Sequence, residues 1–180
     1  MGLALRPAGS CSPYEAVLGE AFASLHPHVR RAHLPPLSAQ GTIDVEHGRG
    51  WLIRQIIWLM KLPAAGVGQP VRLDLGQDRQ ELVWTRRIGT SILETRQRAS
   101  GSRLVERSGP GRVSFDLAVK DGALMYRQSS IHVAALPLPS SLSPSVSAVV
   151  SPELEGWQVK VTVYWRGRVV CRYGGSIHES

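Results

Sequence analysis

Between positions 71 and 173 apolar and polar residues alternate with a period of two in segment after segment, which places every second side chain on one face of a strand. The pattern predicts strands over 41–46, 71–75, 81–88, 91–98, 103–107, 113–120, 123–133, 159–165 and 168–173. Asp121-Gly122 and Arg166-Gly167 are two-residue hairpin signals, so neighbouring strands should run antiparallel. The Pro- and Ser-rich stretch 136–152 reads as a long crossing loop or as an edge strand around 146–150.

Two segments carry a helical period instead. Ser12, Pro13 and Glu15 form a capping-box signature, and Tyr14, Val17, Leu18, Ala21, Phe22 and Leu25 follow at steps of three and four until His26-Pro27 ends the run. Over 51–62, Leu52, Ile53, Ile56, Ile57, Leu59 and Met60 make a broad aliphatic side. Trp51, Arg54, Gln55, Trp58 and Lys61 fall opposite, a composition suited to a half-buried face with Arg54 stacked on indole or to a ligand wall. The expected architecture is therefore α+β: an N-terminal amphipathic helix and a strongly curved antiparallel sheet, a partial barrel of about eight to nine strands gripping the 51–62 helix. One domain over 1–180 is expected, with 1–11 as a flexible lead-in.

Within this pattern one charge occupies an apolar slot. Arg86 shares a strand face with Leu82, Trp84 and Ile88, and an inward guanidinium costs several kcal/mol unless it is paired or wet. Glu106, on the face of Leu104, is the first carboxylate in reach, and Glu94 the second. The pair would either fix register or orient a polar ligand. His33 and His47 are the acid–base candidates, against a loop-packing role for each. Tyr126, Gln128 and His132 alternate along 123–133 and, with Trp51, Trp58 and Trp84, make the candidate ligand-binding set. Either a solvent face or a cavity wall explains that row.

The chain has 180 residues, 43% of them hydrophobic, and a net charge of +7. The arginines are scattered along the strands without a basic run or aromatic interleaving, so nucleic-acid binding is not expected. Cys11 and Cys171 are too far apart for a metal or redox spacing, His26-Pro27-His28 is not a zinc spacing, and no G-x-G-x-x-G or G-x-S-x-G occurs. Neither metal nor cofactor is expected. No segment has the length of a membrane span or a signal peptide, and a reduced cytoplasmic protein is the simplest setting.

The ordered strings Leu25-His26-Pro27-His28-Val29-Arg30-Arg31-Ala32-His33-Leu34, Val45-Glu46-His47-Gly48, Trp84-Thr85-Arg86-Arg87-Ile88-Gly89, Leu104-Val105-Glu106-Arg107-Ser108-Gly109-Pro110 and Leu136-Pro137-Leu138-Pro139 resemble the bacterial family catalogued as domain of unknown function 4166. The likeness runs from there to Tyr173-Gly174-Gly175. It implies no assigned activity. It does imply relatives that sit behind a saccharopine-dehydrogenase-like reductase, with Phe at the position of Ile88. Two functions are then expected in competition. One is a cavity for an apolar small molecule, serving a cofactor-independent isomerase or cyclase of specialised metabolism. The other is a non-catalytic accessory domain whose Trp51/Trp58 face docks a reductase or another protein.

Overall fold

The computed structural model describes residues 12–134, 136–139 and 143–180; the lead-in 1–11, with Cys11, lies outside them. The described residues form eleven strands: β1 (Leu37–His47), β2 (Gly66–Asp78), β3 (Glu81–Ile88), β4 (Ser91–Ser100), β5 (Arg103–Ser108), β6 (Gly111–Lys120), β7 (Ala123–Val133), β8 (Leu136–Pro137), β9 (Ser145–Glu153), β10 (Gly156–Trp165) and β11 (Arg168–Glu179). They pair antiparallel in the order β6-β5-β4-β3-β2-β1-β11-β10-β9-β7, and β6 also pairs with β7. The result is a closed ten-stranded barrel, with β8 attached to β7 outside the ring.

This corrects the expected partial barrel around a helix. The sheet closes on itself, and inward residues such as Leu73, Leu82, Leu104, Leu124 and Val163 form its core without help from the helix. The stretch read as loop or edge supplies β9, a full barrel strand between β7 and β10. Helix α3 (Trp51–Leu59) lies outside, against β11, with only Ile53 fully buried. Ile56, Ile57 and Met60 are half-buried, while Trp51, Leu52, Trp58 and Leu59 are exposed. Ile56→Asp is accordingly expected to lower stability by about 1–2 kcal/mol and to leave a cooperative fold, since the carboxylate can reach water. Thermal denaturation checks this, and complete unfolding at 25 °C would place Ile56 in the barrel core.

Closure needs tight curvature where β1 meets β11. A Cβ at Gly41 would collide with the Ser176 carbonyl, and one at Gly175 with the Thr42 carbonyl, so these two glycines let the strands press together. Asp121-Gly122 and Arg166-Gly167 both have positive φ at both positions, the geometry of a tight hairpin turn. Most of the charged strand residues alternate to the outside, where Arg87, Arg96 and Arg103 pair with Asp74, Asp78 and Asp116.

The N-terminal segment plugs one end of the barrel. The capping box forms as the sequence predicts, with the Ser12 amide donating to Glu15 Oε2 at 2.7 Å and the Tyr14 amide to Ser12 Oγ at 3.4 Å. The helix it starts, α1 (Pro13–Leu18), stops at Gly19 (φ 55°) and continues as a 3₁₀ turn over Gly19–Ser24, shorter than the periodicity implies. The basic turn after it contains a short helix, α2 (Pro27–Arg31), with Pro27 at its first position. Helix α1 packs on β4, β5 and β6, and α2 on β9 and β10, so the two cover opposite sides of the same mouth.

A buried polar relay inside the barrel

Strand parity and the plug together bring five of the expected residues to one place. On β3, Leu82, Trp84, Arg86 and Ile88 face inward as the alternation requires, and on β5 Glu106 follows Leu104 into the interior. Arg86 NH1 reaches Glu106 Oε1 at 3.3 Å and Thr95 Oγ1 at 2.7 Å, and its guanidinium lies 5.2 Å from the centre of the Trp84 ring. About a fifth of each side chain of the pair remains accessible (22% and 20%), and that surface faces the barrel cavity. Burial opposes the Arg86 charge, but the Glu106 carboxylate and the phenols around it outweigh burial and raise its pKa. Glu94, the alternative partner, is exposed on the outer face and approaches Arg96.

The plug adds the other half. Helix α1 sends Tyr14 into the mouth, and the residues after α2 send His33 beside it, with ring centres 4.5 Å apart. Tyr14 donates to Gln97 Oε1 at 2.6 Å, and Trp84 Nε1 donates to the same oxygen at 3.0 Å. Gln97 Nε2 then donates to Glu106 Oε2 at 2.6 Å. From Tyr14 the chain runs the other way through Tyr126, whose hydroxyl is 3.1 Å from the Tyr14 oxygen and 2.8 Å from His33 Nε2. His33 Nδ1 is 2.7 Å from the Val29 carbonyl, which can only accept, so that nitrogen carries the hydrogen. A continuous series of side chains thus joins His33 to Arg86.

Burial lowers the His33 pKa from 6.5 to about 4, with Arg86 acting in the same direction against the Val29 carbonyl, so the ring is neutral at pH 7 and Nε2 accepts. Desolvation likewise holds the Tyr14 and Tyr126 phenols well above their ordinary value. The single hydrogen of Tyr126 can serve His33 or Tyr14, not both at once. Protonation of His33 would supply the missing hydrogen, after which His33, Tyr126 and Tyr14 could each donate to the next.

This relay borders a cavity of about 180 Å³ whose other walls are apolar, among them Val71, Leu73, Ile88, Phe115, Val161 and Ile177. Tyr173 lines it as well; its hydroxyl makes no hydrogen bond among the described residues, and burial pushes its pKa up to about 12. Two wider depressions, of about 930 and 630 Å³, lie on the outer surface and are bordered by solvated residues such as Asp78, Arg79, Arg72 and Arg87.

The remaining expected site residues lie elsewhere. His47 Nε2 is 2.8 Å from the Pro63 carbonyl and ties the end of β1 to the chain after α3. Gln128 borders the chain preceding β9, donating to the Pro144 carbonyl at 2.8 Å and accepting from the Val146 amide at 2.9 Å. His132 leaves the row of Tyr126 because the β6–β7 register slips between Ser114 and Phe115, inserting one extra residue in β7; Ile131 takes the buried position instead. Its Nδ1 is buried with no hydrogen-bond partner. Trp51 and Trp58 stand outside the barrel on α3, and the indole-stacked arginines among the described residues are Arg86 and Arg166 rather than Arg54. Sequence reasoning missed Tyr14, Gln97, Thr95 and Tyr173. Thr95 and Gln97 share the inward parity of Leu93, so two buried polar residues were readable there; Tyr14 looked like ordinary core.

Among the described residues no group of three or more His, Cys, Asp or Glu is arranged to hold a metal ion, and no helix is long and apolar enough to cross a membrane. No curated protein and no solved structure matches the chain. A family model does, over residues 25–177, which include every relay residue except Tyr14, and by that match the chain belongs to the family described as a domain of unknown function (DUF4166).

Proposed function

We propose that the barrel interior binds a small, uncharged, mainly apolar molecule and that Tyr126 and His33 move a proton on it, in a cofactor-independent isomerisation or cyclisation. The observation that carries this reading is the relay itself, a hydrogen-bonded series of titratable groups bordering an otherwise apolar cavity. Glu106 neutralises Arg86 and no second cation among the described residues lines the cavity, which favours a neutral guest. The free phenol of Tyr173 offers that guest a donor. In the proposed step Tyr126 takes a proton from one atom of the guest as its own passes to His33 Nε2. The reverse transfer returns a proton to another atom, so no atom or electron is gained or lost. A cavity of about 150 Å³ accommodates benzene, so 180 Å³ holds a guest on the order of one ring, or the ring end of a longer molecule.

The accessory-domain reading, with a reductase or another protein at the Trp51/Trp58 face, draws on the exposure of those rings and gives the buried relay no task. Native mass spectrometry after incubation with an apolar metabolite extract separates the two. Retention of a small neutral molecule is expected, and Ala148→Phe, which fills the cavity from β9, is expected to abolish it with the melting curve preserved. Failure to retain any guest at high protein concentration, or retention indifferent to Ala148→Phe, would overturn the proposal.

A further inference from the structure

The end of the barrel opposite the plug is unlike the rest of the surface. Antiparallel connectivity places the β1–β2, β3–β4 and β10–β11 connections together there. Trp51, Leu52, Trp58 and Leu59 on α3, with Val67 at the start of β2 and Ile92 at the start of β4, are all exposed, Trp58 by 77% and Leu59 by 74%. The β1–β2 connection contains Arg49, Arg54 and Lys61 and no acidic residue, and the adjoining β10–β11 turn carries Arg166 and Arg168. Among the described residues Arg49, Arg54, Lys61 and Arg168 form no ion pair; on the barrel wall Arg87, Arg96 and Arg103 are matched by carboxylates while Arg98, Arg112, Arg127, Lys160 and Arg172 are not, so what sets this end apart is that its unpaired cations stand beside exposed indoles and leucines. The plugged end is mixed in charge, with Glu15, Glu20, Asp121, Glu153, Glu155 and Glu179 beside Arg30, Arg31, Arg79 and Lys120.

We infer that the α3 end of the barrel docks on an anionic lipid bilayer, with Trp51, Trp58, Leu52 and Leu59 entering the interfacial layer and the basic residues contacting lipid phosphates. A short helix that interleaves exposed Trp and Leu with Arg54 and is followed by Lys61 lies in the membrane plane rather than spanning it, in keeping with the absence of a spanning helix among the described residues. Both components of the surface find a partner at once in an anionic headgroup layer: the indoles at the polar–apolar boundary, the cations at the phosphates. A second copy of the chain would meet this face with the same excess of cations, so charge argues against a face-to-face dimer. The inference stands on this surface alone and is independent of what the cavity holds.

Co-sedimentation with vesicles of phosphatidylcholine alone and of phosphatidylcholine with about 30% phosphatidylglycerol tests it. Binding to the anionic vesicles is expected to be at least about tenfold tighter and to weaken when salt is raised to about 0.5 M. Trp58→Ser/Leu59→Ser, both at exposed positions, should lower binding at least about tenfold while the melting temperature stays unchanged. Trp51→Phe/Trp58→Phe should retain binding yet lose most of the fluorescence quenching by brominated acyl chains. Absence of binding to either vesicle would overturn the inference. So would binding indifferent to Trp58→Ser/Leu59→Ser, which would mean non-specific charge attraction, or sedimentation as a dimer that buries Trp58.

Discussion

Removing Glu106 alone should cost about 3–5 kcal/mol, and replacing Arg86 and Glu106 together by Met and Leu should cost distinctly less. Glu106 accepts from both Arg86 and Gln97, so Glu106→Leu leaves a guanidinium and an amide without their acceptor inside the barrel. The guanidinium cannot shed its charge, whereas a carboxyl group left by Arg86→Met can take up a proton. The Glu106 change is therefore expected to be the worse of the two single substitutions. A double-mutant cycle by chemical denaturation reads the coupling directly. Additive effects, with the double variant as unstable as the sum of the singles, would mean that the two groups do not depend on each other.

That prediction was already visible in the alternation of β3. Leu82, Trp84, Arg86 and Ile88 occupy one parity, and a period of two admits no other placement while the strand is regular. The same logic failed on β7, where one extra residue near Ser129 turned His132 away from the row of Tyr126. No turn residue or proline announces that slip. It lies inside the β6–β7 hairpin, where Ser114 pairs with Ser130 and Phe115 with Gln128, and a regular period of two cannot show it. Helix α3 shows the complementary limit: its period is plain, yet a period says which side is apolar and not what covers it. Its aliphatic side is only half-covered because the barrel core is complete without it.

The plug was hardest to read. The capping box at Ser12 and Glu15 was legible, and Tyr14 stood correctly on an apolar face. Its hydroxyl, however, meets Gln97, 83 residues away, and such a meeting follows from which strands α1 happens to cross. Tyr14 also lies before residue 25, where the family match begins. The sequence thus located the charged half of the relay by parity and left the phenolic half to tertiary structure.

His33 should make the protein acid-sensitive in a defined window. In the unfolded chain its imidazole titrates near 6.5, whereas in the barrel burial has lowered it to about 4. Between those values the unfolded state binds a proton that the native state refuses, so unfolding free energy rises with pH there. The contribution is fully present above about pH 6.5, is lost progressively as pH falls toward 4, and amounts to about 3 kcal/mol over the whole interval. His33→Gln removes the titrating ring while keeping a donor for the Val29 carbonyl and an acceptor for Tyr126. Its melting temperature should consequently fall less steeply than that of the parent between pH 6.5 and 4. Every other titrating group is common to both proteins, so the difference between the two curves isolates His33. Parallel curves would mean that the native ring takes up its proton at the same pH as the unfolded one, so that burial does not disfavour its charge; a steeper fall for His33→Gln would mean that the native ring holds its proton, and the relay would then have no place to accept one from a guest.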